Sequence, residues 1–410
     1  MVPSLVAQIR ERLQSIEKSP YRDALVLRLQ DHAIEQAMAI DKLSADNKKQ
    51  LPLAGLTFVV KDNIDVDGQS SQVGNPSLPW PKAEGDAWVV QQLKSAGAIL
   101  LGKSHMNEFA AGLDGRNTHY PRLNNPQFPN RLTGGSSSGS AVAVAADLVD
   151  FAIGTDTGGS VRIPGCWNGI WGLRLATDPV HLHGVFPRSP TLDALGVLSQ
   201  SVECVFKVAK QLSRVNTTPT TTRLGYDPKN LEEMNARSRL RFLDTIKALS
   251  SRFEVRAICL TDLLSSTEEI TRLLKAEFFT VFTEKFADTQ SRKLLGPTVL
   301  DELETSEMPA TDKNKLRDEL LELQGKALKS LSNEVDFIVS PLCLDEAPTW
   351  SNTSKRNDRF YTVAMSLLGC PALGIPYAEV ADGYQLLSLK GMDLSFESIG
   401  MEISRMGRQS

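Results

Sequence analysis

The sequence predicts an α/β fold, and three observations carry that prediction. From Leu51 onward, short apolar runs of strand character alternate with loops and with runs at helical spacing. One long segment, 312–332, is an amphipathic helix with a charged outer face, so helices cover whatever the strands form. Two glycine-serine loops, GGSSSGS at 134–140 and GTDTGGSVR at 154–162, bracket an almost wholly apolar stretch and are therefore held in the interior. The chain has 410 residues, 41% hydrophobic and 23% charged, which suits one large α/β core and excludes disordered or fibrous classes.

Taken in order, residues 1–50 read as polar helices packed on the outside of the core. Leu5, Ile9, Leu13 and Ile16 recur at helical spacing without the continuous apolar stretch of a signal peptide. The run 56–60 is a strand ended by Lys61. Asp86 is placed to cap a helix reaching Lys94, Gly97 ends it, and 98–101 follows as a buried strand. The alanine-rich run 141–146 is apolar all round, hence a closely packed buried helix, and 149–153 is a strand leading into the second loop. The polar VNTTPTTT at 215–222 reads as a surface connection. Strands at 335–339, closed by Pro341, and at 372–375 complete the pattern.

A net charge of −4 gives no footprint for nucleic acid or an anionic membrane. No stretch reaches the length of a spanning helix, and a cytoplasmic location is expected. The five scattered cysteines, without a CxxC, suit reduced thiols.

Glycines in an interior loop let successive N–H groups converge on one point, and a serine there becomes a nucleophile once a base takes its proton. Lys61, at the rim of the core, is the candidate base, because desolvation lowers a lysine's pKa. Lys61 in VVKDNID, Ser136 in GGSSSGSA and Ser160 in GTDTGGSVRIP occur in the order and spacing that resemble the amidase signature enzymes. The likeness extends through Gly74-Asn75-Pro76, GKSHMNEFAAG at 102–112, Asn125-Pro126, VDFIVSP and GCPALGIPY, and in appearance comes nearest to short amidases of the indole-3-acetamide hydrolase type.

The resemblance implies a large mixed twisted β-sheet covered by α-helices, with the amidase signature domain over 51–410. It implies hydrolysis of a linear amide by Ser160 as nucleophile, Ser136 as a relay preceded by a cis peptide, and Lys61 as base. The backbone N–H groups of Thr157, Gly158, Gly159 and Ser160 form the expected oxyanion hole. Ser137, Asp156 and Arg162 are expected to brace the loop, the last two as an ion pair. No metal or organic cofactor is required; the expected partner is a small amide, and a homodimer stays open.

Blander and rival readings stand beside this one. Ser160 can lie in a structural turn, and Lys61 can be a rim lysine paired with Asp62. Gly135 to Gly139 formally match the G-x-S-x-G elbow of α/β-hydrolases with Ser137 as nucleophile, but a proline-broken loop at 124–130 stands where a strand is needed. The five histidines (32, 105, 119, 181, 183) offer no persuasive triad base, and His181 with His183 lack further ligands at metal spacing. No lysine follows the glycines as in a phosphate-binding loop. The amidase subunit of a glutamine-dependent tRNA amidotransferase shares the triad, yet GLRLAT at 172–177 departs from its GLKPT-like sequence. Specificity is expected from the loop after Gly112, from 180–191 and from 268–300, with Leu182, Phe186, Phe278 and Phe279 as pocket or core.

Overall fold

Eleven strands form one mixed sheet in the computed structural model, which describes residues 4–215, 222–286, 288–351 and 358–407. In chain order they are β1 (Leu25–Arg28), β2 (Thr57–Lys61), β3 (Ile99–Ser104), β4 (Phe151–Thr155), β5 (Trp171–Arg174), β6 (Leu195–Ser199), β7 (Arg223–Tyr226), β8 (Glu254–Ala257), β9 (Phe337–Pro341), β10 (Ala372–Pro376) and β11 (Gly383–Ser388). Their spatial order is β1-β3-β2-β4-β6-β5-β10-β11-β9-β7-β8. Pairing is parallel for β3-β2-β4 and for β9-β7-β8, and antiparallel elsewhere.

Each face of the sheet carries its own core. Side chains alternate along a strand, so on β2 Phe58 and Val60 join one apolar cluster with Phe151 and Ile153, while Val59 joins another with Ala152 and the helix Ser138–Ala145. The register opposes Phe58 to Phe151, whose rings stack with centroids 5.2 Å apart, and Val60 to Ile153. That pairing brings the C-terminal ends of β2 and β4 to the same edge, where parallel strands in α/β sheets place their functional residues.

The helix Ser138–Ala145 is buried along nearly its whole length, as its lack of a polar face requires, and the helix Ala310–Glu334 spans the expected amphipathic segment. Residues 1–50 depart from the all-helical expectation. Between the helices Leu5–Lys18 and Gln30–Asp41, β1 pairs with β3 at the sheet edge. Its four residues are too short to stand out against helical neighbours. The expected connection at 215–222 falls almost wholly outside the described residues. Among the described residues no helix is long and apolar enough to cross a membrane.

Candidate active site

Lys61 closes β2 and points, like Val59, to the face that carries the helix Ser138–Ala145. The loop before that helix delivers Ser136, so Lys61 Nζ lies 2.7 Å from Ser136 Oγ. It also lies 2.8 Å from Thr155 Oγ1 and 3.4 Å from the Thr155 carbonyl, both at the end of neighbouring β4. Lys61 is fully buried, and burial pushes its ammonium down to about 7, against the pull of the Asp156 and Asp193 carboxylates and with the help of Arg188. The pairing with Asp62 does not occur: Asp62 lies across from Lys103 at 3.2 Å, a second buried lysine that also donates to Ser71 Oγ at 2.8 Å.

The peptide between Gly135 and Ser136 is cis. Gly135 has no room for a side chain, since a Cβ there would sit 2.0 Å from Asn107 Oδ1. The Ser137 N–H donates to the Ser160 carbonyl at 3.2 Å and its hydroxyl to the Thr155 carbonyl at 3.3 Å, tying the two serine loops together.

The second loop is organised around Asp156. Its carboxylate accepts the N–H groups of Gly159 at 2.8 Å, Val161 at 3.1 Å and Arg162 at 3.3 Å, and pairs with the Arg162 guanidinium through Nε at 3.0 Å and NH2 at 2.8 Å. Arg162 continues to Gln385 Oε1 and Ser366 Oγ, both at 2.6 Å. Arg174, in the stretch that departs from the GLKPT-like sequence, donates to the Asp156 carbonyl and lies 4.0 Å from its carboxylate. Burial opposes ionisation of Asp156, but Arg162, Arg174 and these hydrogen bonds hold it well below the usual carboxylate range.

One expectation is corrected here. The Gly159 N–H is committed to Asp156, so it does not face a substrate oxygen, whereas the N–H groups of Thr157, Gly158 and Ser160 have no such partner among the described residues. Gly159 is required for shape: its φ is +118°, and a Cβ would lie 2.5 Å from Thr362 Oγ1. Asp156→Asn keeps that shape but leaves Arg162 buried without its counter-charge, at an expected cost of about 3 to 5 kcal/mol read from the urea midpoint. An unmoved midpoint would show that packing, not charge, holds the loop.

The rival elbow fails on geometry. No strand enters Ser137, which is instead the residue before the helix Ser138–Ala145. Of the histidines, His105 is buried against Ser138 Oγ at 2.9 Å, and burial pushes it down to about 4. His181 stacks on Trp88, with Nε2 3.8 Å from Asp178. Among the described residues no three His, Cys, Asp or Glu side chains gather as ligands for a metal ion.

Comparison with known proteins agrees with this architecture. The model of the Amidase family matches residues 7–404. The chain belongs to the Amidase family. A solved amidase superposes with a TM-score of 0.89 at 28% identity, covering 98% of this chain and 96% of that one.

Among curated proteins, Amidase 1 of Oryza sativa subsp. japonica is 46% identical over 168 residues, 40% of this chain and 38% of the relative. The AtzE component of the 1-carboxybiuret hydrolase of a Pseudomonas species is 41% identical over 182 residues, 44% of this chain and 40% of the relative. One component of the glutamyl-tRNA(Gln) amidotransferase of Symbiobacterium thermophilum is 35% identical over 226 residues, 53% and 46% of the two chains. The matched part thus spans less than half of each of these three relatives.

An open cleft of about 690 Å³ has walls that include Trp80, Phe186 and Lys285; Lys61, Ser136 and Ser160 do not line it, and it is linked to them through the hydrogen bond from Asn63 to the Phe186 carbonyl. Of the expected specificity segments, 184–187 and the helix Thr267–Lys285 line it, and the loop after Gly112 does not. Of the four expected pocket-or-core residues, three share one apolar cluster, with Phe278 buried in it under the Arg188 guanidinium and Phe186 and Phe279 packed against it, while Leu182 packs on the main core; of the four, Phe186 lines the cleft. The segment 80–84, which also lines the cleft, was not legible, because Trp80 and Lys82 sit in a proline-rich loop without periodicity. Thr155, Asn63, Asp193 and Arg174 also escaped the sequence reading. Asn63 and Thr155 stood inside the quoted motifs, but nothing in their spacing showed that β2 and β4 end side by side.

Proposed function

We propose that the protein hydrolyses the carbon–nitrogen bond of a small linear amide through an acyl-enzyme on Ser160, with Ser136 as relay and Lys61 as base. The observation that carries this reading is the 2.7 Å contact between a fully buried lysine and Ser136 Oγ, next to a loop of preorganised amides. With a pKa near 7, a large share of Lys61 is neutral at neutral pH and able to take a proton.

Neutral Lys61 accepts the Ser136 proton while Ser136 takes that of Ser160, and Ser160 Oγ bonds to the amide carbon. Charge moves to the carbonyl oxygen, where the N–H groups of Thr157, Gly158 and Ser160 stabilise it. On collapse the carbon–nitrogen bond breaks as Lys61 returns its proton through Ser136 to the leaving nitrogen, releasing ammonia or an amine. A water molecule, deprotonated along the same route, then frees the acid from Ser160 and restores the enzyme. All of this is done by side chains and backbone.

Ammonia release from aliphatic, aromatic and urea-derived amides, with glutamine included, tests the proposal. Turnover of simple amides is expected. Its absence, with turnover of glutamine alone, would move the assignment to the amidase component of an amidotransferase, a reading that the similarity to the Symbiobacterium protein keeps in the panel. Ser136→Ala should lose roughly a hundredfold to ten-thousandfold in kcat, the range of general acid–base contributions, because water replaces a relay only partly. A near-normal rate would mean that Lys61 serves Ser160 without Ser136.

A further inference from the structure

Asn63, two residues after Lys61, is buried, yet the mechanism gives it no part. Its amide nitrogen has two hydrogens and two acceptors: Thr155 Oγ1 at 3.2 Å and the Phe186 carbonyl at 3.4 Å. The amide cannot be turned round, because that would set Oδ1 against the Phe186 carbonyl oxygen. The Phe186 N–H in turn donates to the Asn63 carbonyl at 2.8 Å, so the cleft wall and Asn63 are joined twice.

Thr155 Oγ1 is also one of the groups around Lys61. Nζ has within reach Ser136 Oγ, Thr155 Oγ1 and the Thr155 carbonyl, one acceptor for each hydrogen of the ammonium that forms when the base takes its proton. In a fully buried site an ammonium hydrogen left without an acceptor is costly. Asn63 holds the threonine hydroxyl where that hydrogen needs it. A continuous path therefore runs from the cleft wall to the relay serine: Phe186 carbonyl, Asn63 amide, Thr155 hydroxyl, Lys61 nitrogen, Ser136 hydroxyl.

We propose that Asn63 is a positioning residue for the base: acting through Thr155, it fixes the acceptor that receives Lys61 in its protonated state and couples the Phe186 wall of the cleft to the relay. The inference rests on Lys61 being the base. The charged groups facing Lys61 are Asp156, held by Arg162 and Arg174; Asp193, held by the Thr157 hydroxyl and the N–H groups of Arg188 and Ser189; and Arg188, paired with Glu302. The variants Asn63→Ala, Thr155→Val and Thr155→Ser leave all of these charges in place.

The test compares Asn63→Ala, Thr155→Val, their double variant and Thr155→Ser by the pH dependence of kcat/KM. A parallel titration follows the 13Cε resonance of Lys61 in lysine-labelled protein, which needs no turnover. Thr155→Val removes the acceptor and Asn63→Ala frees it to turn away from Lys61; either disfavours the ammonium, so the acidic limb and the Lys61 titration should both move to lower pH in the two variants. The kcat plateau should fall roughly tenfold to a hundredfold, the scale on which a misplaced reacting group costs rate.

Thr155→Ser, which keeps the hydroxyl, should behave like the parent, and the double variant should match Thr155→Val. Additive losses in the double variant, or a limb that stays in place in Asn63→Ala, would overturn the proposal. Where the alanine variant does not fold, the Thr155 pair still decides: a limb that stays in place in Thr155→Val, or that moves as far in Thr155→Ser, would equally overturn the proposal. If Lys61→Met itself retains the limb, the reading of Lys61 as base fails; if it loses the limb while the Asn63 and Thr155 variants keep theirs, only the present inference fails.

Discussion

Ser160→Ala should abolish amide turnover, with a loss in kcat on the order of a millionfold, as expected when a nucleophile that acts as part of a unit is removed. Only a hydroxyl is deleted. The loop keeps its shape because its anchors are elsewhere: the Asp156 carboxylate, the Gly159 and Val161 amides it holds, and the contact from the Ser137 N–H to the Ser160 carbonyl, which is backbone. The thermal midpoint should therefore stay close to that of the parent, and substrate should still bind. Rate measurement beside a melting curve separates the two effects. An active, stable Ser160→Ala would remove the nucleophile assignment.

Lys61→Met should cost roughly ten-thousandfold at neutral pH, the upper end of what a general base contributes, and should change the pH profile in kind. Only neutral Lys61 can start the relay, and its pKa lies near 7, so parent kcat/KM must rise with pH through about that value and then level off. The variant should lack this limb and recover rate only where hydroxide replaces the base. Amides should suffer more than activated esters, because an amine must be protonated to leave and a good alcohol need not be. Equal losses on a matched amide and ester, with the pH profile unchanged, would make Lys61 structural.

Stability should move in the opposite direction. The folded-state pKa lies below the ordinary lysine value of 10.5, so between about 7 and 10.5 the unfolded chain binds a proton that the folded chain does not, and stability rises with pH across that window. Lys61→Met removes the penalty of burying the charged form. Its gain in urea midpoint over the parent should be largest below pH 7 and should close as the pH approaches 10.5.

Much of the candidate site was legible because its residues sit in two short loops whose composition has a physical explanation. Glycines that must take positive φ or admit a neighbour's side chain, and serines held in an apolar setting, mark Ser136 and Ser160 before any contact is known. Lys61 was legible as a lysine ending an apolar run. What escaped depends on register. That Thr155 lies against Lys61 follows from β2 pairing parallel with β4, with Val60 opposite Ile153, a fact of tertiary structure. The commitment of the Gly159 amide to Asp156 turns on the direction of one N–H, which a motif does not specify. β1 was hidden by its brevity, and the cleft residues by the irregular loops that carry them.

Covalent labelling decides whether Ser160 carries the acyl group. A fluorophosphonate probe reacted with the parent and with Ser160→Ala, followed by peptide mapping, should place one adduct on Ser160 in the parent and none in the variant. An adduct on Ser137, or labelling that persists in Ser160→Ala, would exclude Ser160 as the nucleophile.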